Sequence, residues 1–302
     1  MRNMKAFAAL VNARLETIVE ALPEGSCDLN DGMPWLLADA MRYSLLAGGK
    51  RLRPSMLLMA VEMLGGDADA VLDIACAVEM IHTYSLIHDD LPGMDNDTMR
   101  RGRPTSHVVF GEGQAILAGD GLLNCAFERM LACALRRTGE EAASLRAIAE
   151  IAQGAGVTGM IAGQVMDLYC ERERKADVED LEYIQLNKTA RMFMHPLRAA
   201  GHLAHAAQDE IEALGRYGRA FGLLFQATDD LLDVVGSADE VGKTLGKDAA
   251  SGKLTCVTLS GVEATRERVL QLRDEAHKTL ARFGEKADGF RALVDDMVDR
   301  TA

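Results

Sequence analysis

Acidic and basic side chains follow one another closely between Leu86 and Thr105, in the stretch LIHDDLPGMDNDTMRRGRPT. Carboxylate oxygens are ligands that Mg²⁺ prefers, and guanidinium groups are forked donors that match phosphate oxygens. A segment that carries both groups could hold a metal ion together with a phosphorylated substrate. The aspartates are Asp89, Asp90, Asp95 and Asp97, and the arginines are Arg100, Arg101 and Arg103.

Pro92 and Gly93 interrupt the acidic half of this stretch. Asp89 and Asp90 continue a predicted helix whose interior would not accommodate Pro92. In an unbroken helix Asp95 would lie about 240° around the axis from Asp89. A bulge at the Pro-Gly pair could return Asp95 to the side of Asp89, so that both carboxylates serve one site.

A second acidic cluster lies in FQATDDLLDVVG, which ends at Gly236. Asp229 and Asp233 are four residues apart and share one helix face with Gln226, whereas Asp230 points about 100° away and is expected to serve a different role. Ionised carboxylates in an apolar helix require protonation, a basic partner or a divalent cation. Two such clusters, each closing an apolar helix, make a solvent-facing helix end the weaker interpretation. Oxygen-only ligands favour Mg²⁺.

Further cations occur in three other segments. Each alone is more simply explained as a solvated charge, but beside two acidic clusters they favour phosphate binding. The Gly-Lys-Thr in the last segment is not a P-loop, because position 237 is Ser where that motif needs Gly. The cations are Lys50, Arg51 and Arg53 in GGKRLRP, Lys188 beside Thr189 in NKTA, and Lys243, Lys247 and Lys253 in VGKTLGKDAASGKLT.

Helices must position these groups, because good helix formers dominate and aromatic residues make up only 5% of the chain. We predict an all-α, single-domain protein spanning residues 1–302. Helices that are apolar on nearly every side, such as VLDIACAVEMIHTYSLI, belong in the centre of a bundle. The predicted helices span roughly 4–21, 34–47, 54–64, 68–91, 112–135, 140–156, 158–172, 178–190, 192–207, 209–235, 261–283 and 287–300.

The composition indicates a cytoplasmic protein. Its net charge of −13 argues against a general affinity for nucleic acid or anionic membranes. Six cysteines without CxxC spacing predict reduced thiols and a reducing compartment. No apolar run is long enough for a membrane span, and the six-residue apolar run near the N-terminus is too short for a signal peptide.

Six motifs resemble those of the trans-isoprenyl diphosphate synthases in order and spacing: GGKRLRP, SLIHDDLPGMDNDTMRRGRPT, GQVMDL, NKTA, FQATDDLLDVVG and GKDAASGKLT. The resemblance extends from about residue 34 to 260 and is nearest to bacterial farnesyl diphosphate synthases. It implies an isoprenoid synthase bundle around an apolar cavity, usually a homodimer, with about three Mg²⁺ ions between the two aspartate-rich motifs. The implied reaction condenses isopentenyl diphosphate with an allylic diphosphate.

The resemblance also implies a role for individual positions. Direct metal contact is expected of Asp89, Asp95 and Asp229, within a metal-binding set of Asp89, Asp90, Asp95, Asp229 and Asp233. Isopentenyl diphosphate would be bound by Lys50, Arg53, His82 and Arg101. The allylic diphosphate would be bound by Arg100, Lys188, Gln226 and Lys243, with Lys253 in the same loop. Thr189, Gln226 and the Lys188 carbonyl would face the carbocation as catalytic groups.

Product length is expected to depend on Tyr84. Ser85 lies one turn before Asp89, and Tyr84 is its neighbour. A chain growing along this helix would reach the bulky ring after a few isoprene units, and an aromatic residue here resembles the C15 (farnesyl) synthases. We therefore predict farnesyl diphosphate as product. The alternatives are a C20 synthase, a class I terpene cyclase and a non-catalytic subunit of a heteromeric synthase.

Overall fold

The structure is a computed structural model that describes residues 2–21, 34–173, 177–235 and 254–300. Its described elements are helices apart from one two-stranded hairpin, which confirms the all-α prediction. In chain order they are α1 Met4–Glu20, α2 Trp35–Leu45, α3 Leu52–Met63, α4 Leu72–Asp89, β1 Met99–Arg100, β2 Arg103–Pro104, α5 Ser106–Phe110, α6 Glu112–Arg136, α7 Glu141–Ala155, α8 Met160–Glu173, α9 Val178–Ile184, a π-helix Gln185–Ala190, α10 Arg191–Leu203, α11 Gln208–Val235, α12 Cys256–Ser260, α13 Val262–Leu280, a 3₁₀ helix Ala281–Ala287 and α14 Asp288–Asp299.

The described helices fall into two compact units, Met1–Ile148 and Ala149–Ala302, and the division lies within α7. The prediction of one domain over 1–302 stays a prediction. Within the described ranges, none of these helices combines the length and the apolar character that crossing a bilayer requires.

In the first unit, α4 is surrounded by α1, α2, α3 and α6. Its side chains are buried on nearly every face, which is why its sequence is apolar all round. The predicted start at residue 68 is wrong by about one turn, because the Asp67 carboxylate accepts hydrogen bonds from the backbone of Asp69 and Ala70 at 2.9 and 3.2 Å. Such a local side-chain turn competes with helix formation.

In the second unit, α11 packs against α10, α13, α14 and the π-helix. An aromatic cluster fills this core: the rings of Tyr217 and Phe290 meet edge to face at 5.2 Å, and Phe221 packs beside Phe193 at the same centroid distance. The Tyr217 hydroxyl donates to the Phe290 carbonyl at 3.0 Å, so the one polar atom of that ring is satisfied. The cluster fixes the helix that carries the second acidic motif.

Candidate active site

The chain reverses direction directly after α4, as the Pro-Gly pair predicts. The helix ends at Asp89, and the Asp95 amide then donates to the Asp89 carbonyl at 2.8 Å. Asn96 adopts a left-handed conformation, with φ 51°, and its amide bonds back to Leu91 at 3.1 Å. The predicted return of Asp95 to Asp89 is therefore confirmed for the backbone.

Asp90 is held inside the protein, with 3% of the residue exposed. Its carboxylate accepts from Arg100 Nε at 2.8 and 2.9 Å and lies 2.6 Å from Arg100 Nη2. Burial raises the pKa of Asp90, and the guanidinium opposes this effect. The pair fastens the β1–β2 hairpin to the end of α4. A guanidinium has five N–H donors, so Arg100 could contact a diphosphate without leaving Asp90.

The hairpin has a tight two-residue turn and carries the three arginines of the motif, Arg100, Arg101 and Arg103. Met99 pairs with Pro104 and Arg100 with Arg103, and the turn residues Arg101 and Gly102 have φ values of 53° and 74°. Two consecutive left-handed residues are typical of a type I′ hairpin turn. The sequence does not predict this hairpin, because its strands are too short to show an alternating pattern.

The three cations of GGKRLRP have different environments. Arg51 is buried and pairs with Glu79 at 2.7 Å, and it also donates to Asn12 Oδ1 and the Leu45 carbonyl, each at 2.8 Å. Lys50 is exposed, and Arg53 is half-buried. Arg51 is therefore a structural residue, which leaves Lys50 and Arg53 as the candidates for substrate binding.

His82 and Arg101 lie near the same glycine turn. Arg53 Nη1 is 3.4 Å from His82 Nε2, and Arg101 donates to the Gly48 carbonyl. A Cβ at Gly49 would lie 2.9 Å from Arg101 Cζ, so glycine makes room for the guanidinium. Burial and then Arg53 hold the pKa of His82 well below its usual range. The structure thus gathers the predicted binding set for isopentenyl diphosphate around one turn.

The predicted chain-length residues, Tyr84 and Ser85, follow His82 by two and three residues on α4. Tyr84 is 6% exposed, and burial followed by the nearby Asp89 carboxylate raises the pKa of its phenol to about 12. Ser85 is half-buried and its hydroxyl donates to the His82 carbonyl at 2.9 Å. Tyr84 is therefore an uncharged, buried ring close to the acidic turn.

In both acidic motifs the first of two adjacent aspartates is half-buried and the second is buried. Asp229 and Asp233 are half-buried, whereas Asp230 is 3% exposed. Asp230 accepts from the Cys256 amide at 2.8 Å and from Gln226 Nε2 at 2.9 Å. Burial raises the pKa of Asp230 to about 6. Asp230 therefore caps the start of α12, which agrees with the different role predicted for it.

Lys188 and Thr189 lie in the π-helix. Lys188 Nζ pairs with the buried Asp167 carboxylate at 2.7 Å, and the Thr189 hydroxyl donates to Gln226 Oε1 at 3.2 Å. Gln226 in turn donates to Asp230, so a chain of hydrogen bonds joins Thr189 and Gln226 to Asp230, whereas Lys188 bonds separately to Asp167. Asp167 was missed as a functional residue, although its motif, GQVMDL, was recognised.

Two glycines press closely on the π-helix. A Cβ at Gly163 of α8 would lie 2.2 Å from the Lys188 amide nitrogen, and one at Gly222 of α11 would lie 2.4 Å from Ala190 Cα. Distances this short are unattainable for a real side chain, so both positions need glycine. A wider helical turn held between two helices is typical of functional sites, and here it presents Lys188 and Thr189.

Lys243 and Lys253, the predicted cations of the glycine-rich loop, lie outside the described residues. Among the residues that are described, no group of three or more His, Cys, Asp or Glu side chains is arranged to hold a metal ion. The acidic donors nevertheless suit Mg²⁺, which takes one or two carboxylates and completes its shell with water and substrate phosphate oxygens. The donor set therefore fits a metal that arrives with a diphosphate.

Comparisons with known proteins extend these observations. Residues 34–299 match the polyprenyl synthetase family. Geranylgeranyl pyrophosphate synthase 9 of Arabidopsis thaliana is 46% identical over 91% of this chain and 74% of the relative, and geranylfarnesyl diphosphate synthase of Leucosceptrum canum is 48% identical over 87% and 72%. The crystal structure of an FPP/GFPP synthase from Zymomonas mobilis covers 98% of both chains, with a TM-score of 0.85 and 33% identity.

Proposed function

Because this chain belongs to the polyprenyl synthetase family and is therefore a prenyltransferase, we propose that it makes farnesyl diphosphate, a C15 product. The substrates would be isopentenyl diphosphate and the allylic diphosphates dimethylallyl and geranyl diphosphate. The observation that carries the proposal is the buried ring of Tyr84, five residues before Asp89. Five residues of helix span about 7.5 Å, so the ring lies within reach of a chain that starts at the acidic turn.

A C20 product is the second candidate, and one observation favours it. Several relatives that match this chain at 44–48% identity carry geranylgeranyl synthase names, while the solved relative from Zymomonas mobilis is named an FPP/GFPP synthase. Names within the family thus span several product lengths. The choice between C15 and C20 therefore depends on the depth of the pocket in this chain, for which Tyr84 is the candidate floor.

The proposed reaction begins with binding of two diphosphates by different groups. Arg100 and Lys188 would neutralise the allylic diphosphate. Isopentenyl diphosphate would be bound by Lys50, Arg53, His82 and Arg101. The predicted set of Asp89, Asp90, Asp95, Asp229 and Asp233 would hold Mg²⁺, with direct contact from Asp89, Asp95 and Asp229. The bound metal would supply neutralisation of the charge that builds on the leaving diphosphate. Cations and hydrogen-bond donors held ready beside a leaving diphosphate would favour ionisation.

The carbocation left after ionisation must be shielded from water and faced with oxygen dipoles. The Thr189 hydroxyl donates a hydrogen bond to Gln226 Oε1, so the lone pairs of the hydroxyl oxygen remain available to the cation. In the proposed site, apolar side chains would keep bulk water away. The double bond of isopentenyl diphosphate then forms the new C–C bond, and the departed diphosphate takes the proton that is lost. No side-chain base is required.

The proposal also includes a homodimer that works in the cytosol. On α6 the apolar side chains of Ile116, Leu117 and Leu131 are exposed, a surface that a second copy could cover. Five described cysteines are unpaired, and four of them are buried, which agrees with a reducing compartment. Light scattering of the pure protein tests the dimer, and a monomeric mass would refute it.

Product analysis tests the main proposal. The pure protein is incubated with isopentenyl and dimethylallyl diphosphates, with and without Mg²⁺, and the dephosphorylated alcohols are separated by chromatography. We expect farnesol only when Mg²⁺ is present. Geranylgeraniol from the wild type would refute the C15 assignment while leaving prenyl transfer intact. No product at all would favour a non-catalytic subunit.

The Tyr84→Ala variant tests the floor itself. Removing the ring should deepen the pocket and make the C20 product predominate. Tyr169→Ala, which removes an exposed ring on α8, is the matched control and should leave the product unchanged. A Tyr84→Ala enzyme that still ends at C15 would show that another residue closes the pocket.

A further inference from the structure

The ring of His88 lies against the ring of Tyr84. The two residues are four apart on α4 and share a face, and their rings meet edge to face with centroids 5.7 Å apart and an interplanar angle of 80°. Edge-to-face pairs have a preferred geometry, so a fixed imidazole restricts the positions that the phenol ring can take. The orientation of His88 therefore bears on the position of Tyr84.

Helix α6 fixes His88 in turn. His88 Nε2 lies 3.0 Å from the Ile116 carbonyl and 3.9 Å from an Asp120 carboxylate oxygen. Both partners lie on α6, so the imidazole bridges from α4 to that helix. A ring held at its far end by a hydrogen bond cannot turn away without losing that bond.

Gly119 is what allows this contact. A Cβ at Gly119 would lie 2.2 Å from His88 Nε2 and 2.5 Å from His88 Cδ2, distances that real atoms do not reach. The residue lies inside α6, two turns from its start, where glycine is a poor helix former. Glycine at this buried position is thus explained by the space that the imidazole occupies.

We infer that His88 and Gly119 are positioning residues that determine product length, because they hold the Tyr84 ring in place as the floor of the pocket. The inference rests on the proposed function, since it requires Tyr84 to be that floor. Neither residue needs to touch the substrate. Displacing His88 would free the Tyr84 ring to rotate, and the growing chain could then pass it.

Four variants test this inference by the ratio of C15 to C20 product. Gly119→Ala drives a methyl group into the imidazole, and His88→Ala removes the imidazole. Gly113→Ala is the matched control, because it makes the same change in α6 at a position with no atom within 4 Å of the new Cβ. The double variant His88→Ala with Gly119→Ala removes the clash together with its target.

We expect Gly119→Ala and His88→Ala each to raise the share of C20 product several-fold, while Tyr84 is still present. Gly113→Ala should keep the wild-type ratio. The double variant should match His88→Ala, because a methyl at Gly119 has no effect once the ring is absent. A purely structural defect would lower the yield of both products and leave their ratio unchanged.

Three results would overturn the inference. The first is a wild-type ratio of C15 to C20 product in Gly119→Ala. The second is a wild-type ratio in His88→Ala, and this result alone tests the inference if Gly119→Ala does not fold. The third is a double variant shifted beyond His88→Ala by the full effect of Gly119→Ala. Tyr84→Ala separates this inference from the proposed function: if that variant lengthens the product and these do not, only the positioning role fails.

Discussion

The buried pair of Arg51 and Glu79 allows a test of whether Arg51 in the motif GGKRLRP stabilises the fold while Lys50 and Arg53 bind substrate. The two side chains are 1% and 2% exposed, and their nearest charged atoms are 2.7 Å apart. Arg51→Met keeps most of the volume but removes the charge, which leaves the Glu79 carboxyl group in the core without its guanidinium partner. Removing one partner of a buried pair costs about 3–5 kcal/mol. The variant should therefore lose about that much free energy of unfolding.

Urea denaturation of four proteins measures this loss and its cause. Arg51→Met and Glu79→Met should each be strongly destabilised. The double variant should regain most of the stability, because an apolar pair of similar volume is often as stable as the ion pair that it replaces. Lys50→Met, an exposed neighbour in the same motif, is the control and should change the stability by less than about 0.5 kcal/mol.

Kinetics at a temperature where the variants are folded complete the test. Arg51→Met should retain the wild-type KM for isopentenyl diphosphate, whereas Arg53→Met should raise it. A loss in Arg51→Met below about 1 kcal/mol would refute the argument from burial. A double variant as unstable as the single ones would show that the loss of unfolding free energy is not caused by leaving one partner of the pair alone in the core.

Two further predictions concern the second unit. Asp167→Asn should lower kcat roughly 10- to 100-fold, because it removes a charge-assisted hydrogen bond to Lys188 and frees the ammonium to move. Steady-state kinetics measure this loss, and Asp167→Glu should restore part of the rate. An unchanged kcat in Asp167→Asn would contradict the prediction. Burial alone would raise the pKa of Glu150, but hydrogen bonds from His195 and Arg198 lower it to about 2. Its contribution, at most about 3 kcal/mol, is present above the ordinary glutamate pKa and is lost as the pH falls toward 2. The difference between the urea midpoints at pH 7 and pH 3 should therefore be smaller in Glu150→Gln than in the wild type. An equal difference in both proteins would refute this.

Periodicity in the sequence located the long helices, and it failed where short-range or tertiary contacts decide the backbone. The helix predicted from residue 68 begins at Leu72 because the Asp67 side chain competes for the first amides. The hairpin between Met99 and Pro104 was missed because each strand has two residues, and an arginine adopts the left-handed turn position where glycine or asparagine is expected. Neither feature produces a repeating pattern.

The π-helix illustrates a different limit. Residues 178–190 were predicted as one regular helix, and the local sequence contains nothing that would break it. The wider turn from Gln185 to Ala190 is instead pressed between Gly163 on α8 and Gly222 on α11. Two glycines distant in sequence therefore determine how Lys188 and Thr189 are presented. A single sequence names the catalytic candidates but does not show this packing.

The adjacent aspartates of each acidic motif follow one physical rule. Consecutive residues on a helix point about 100° apart, so when one faces a site the next turns toward the protein interior. The inward carboxylate then needs partners, because an ionised group in low dielectric is costly. The Asp90 carboxylate accepts hydrogen bonds from Arg100, and the Asp230 carboxylate accepts them from Gln226 and the Cys256 amide. The second aspartate of each pair thus bonds to other parts of the protein, and the first stays the predicted ligand of the metal.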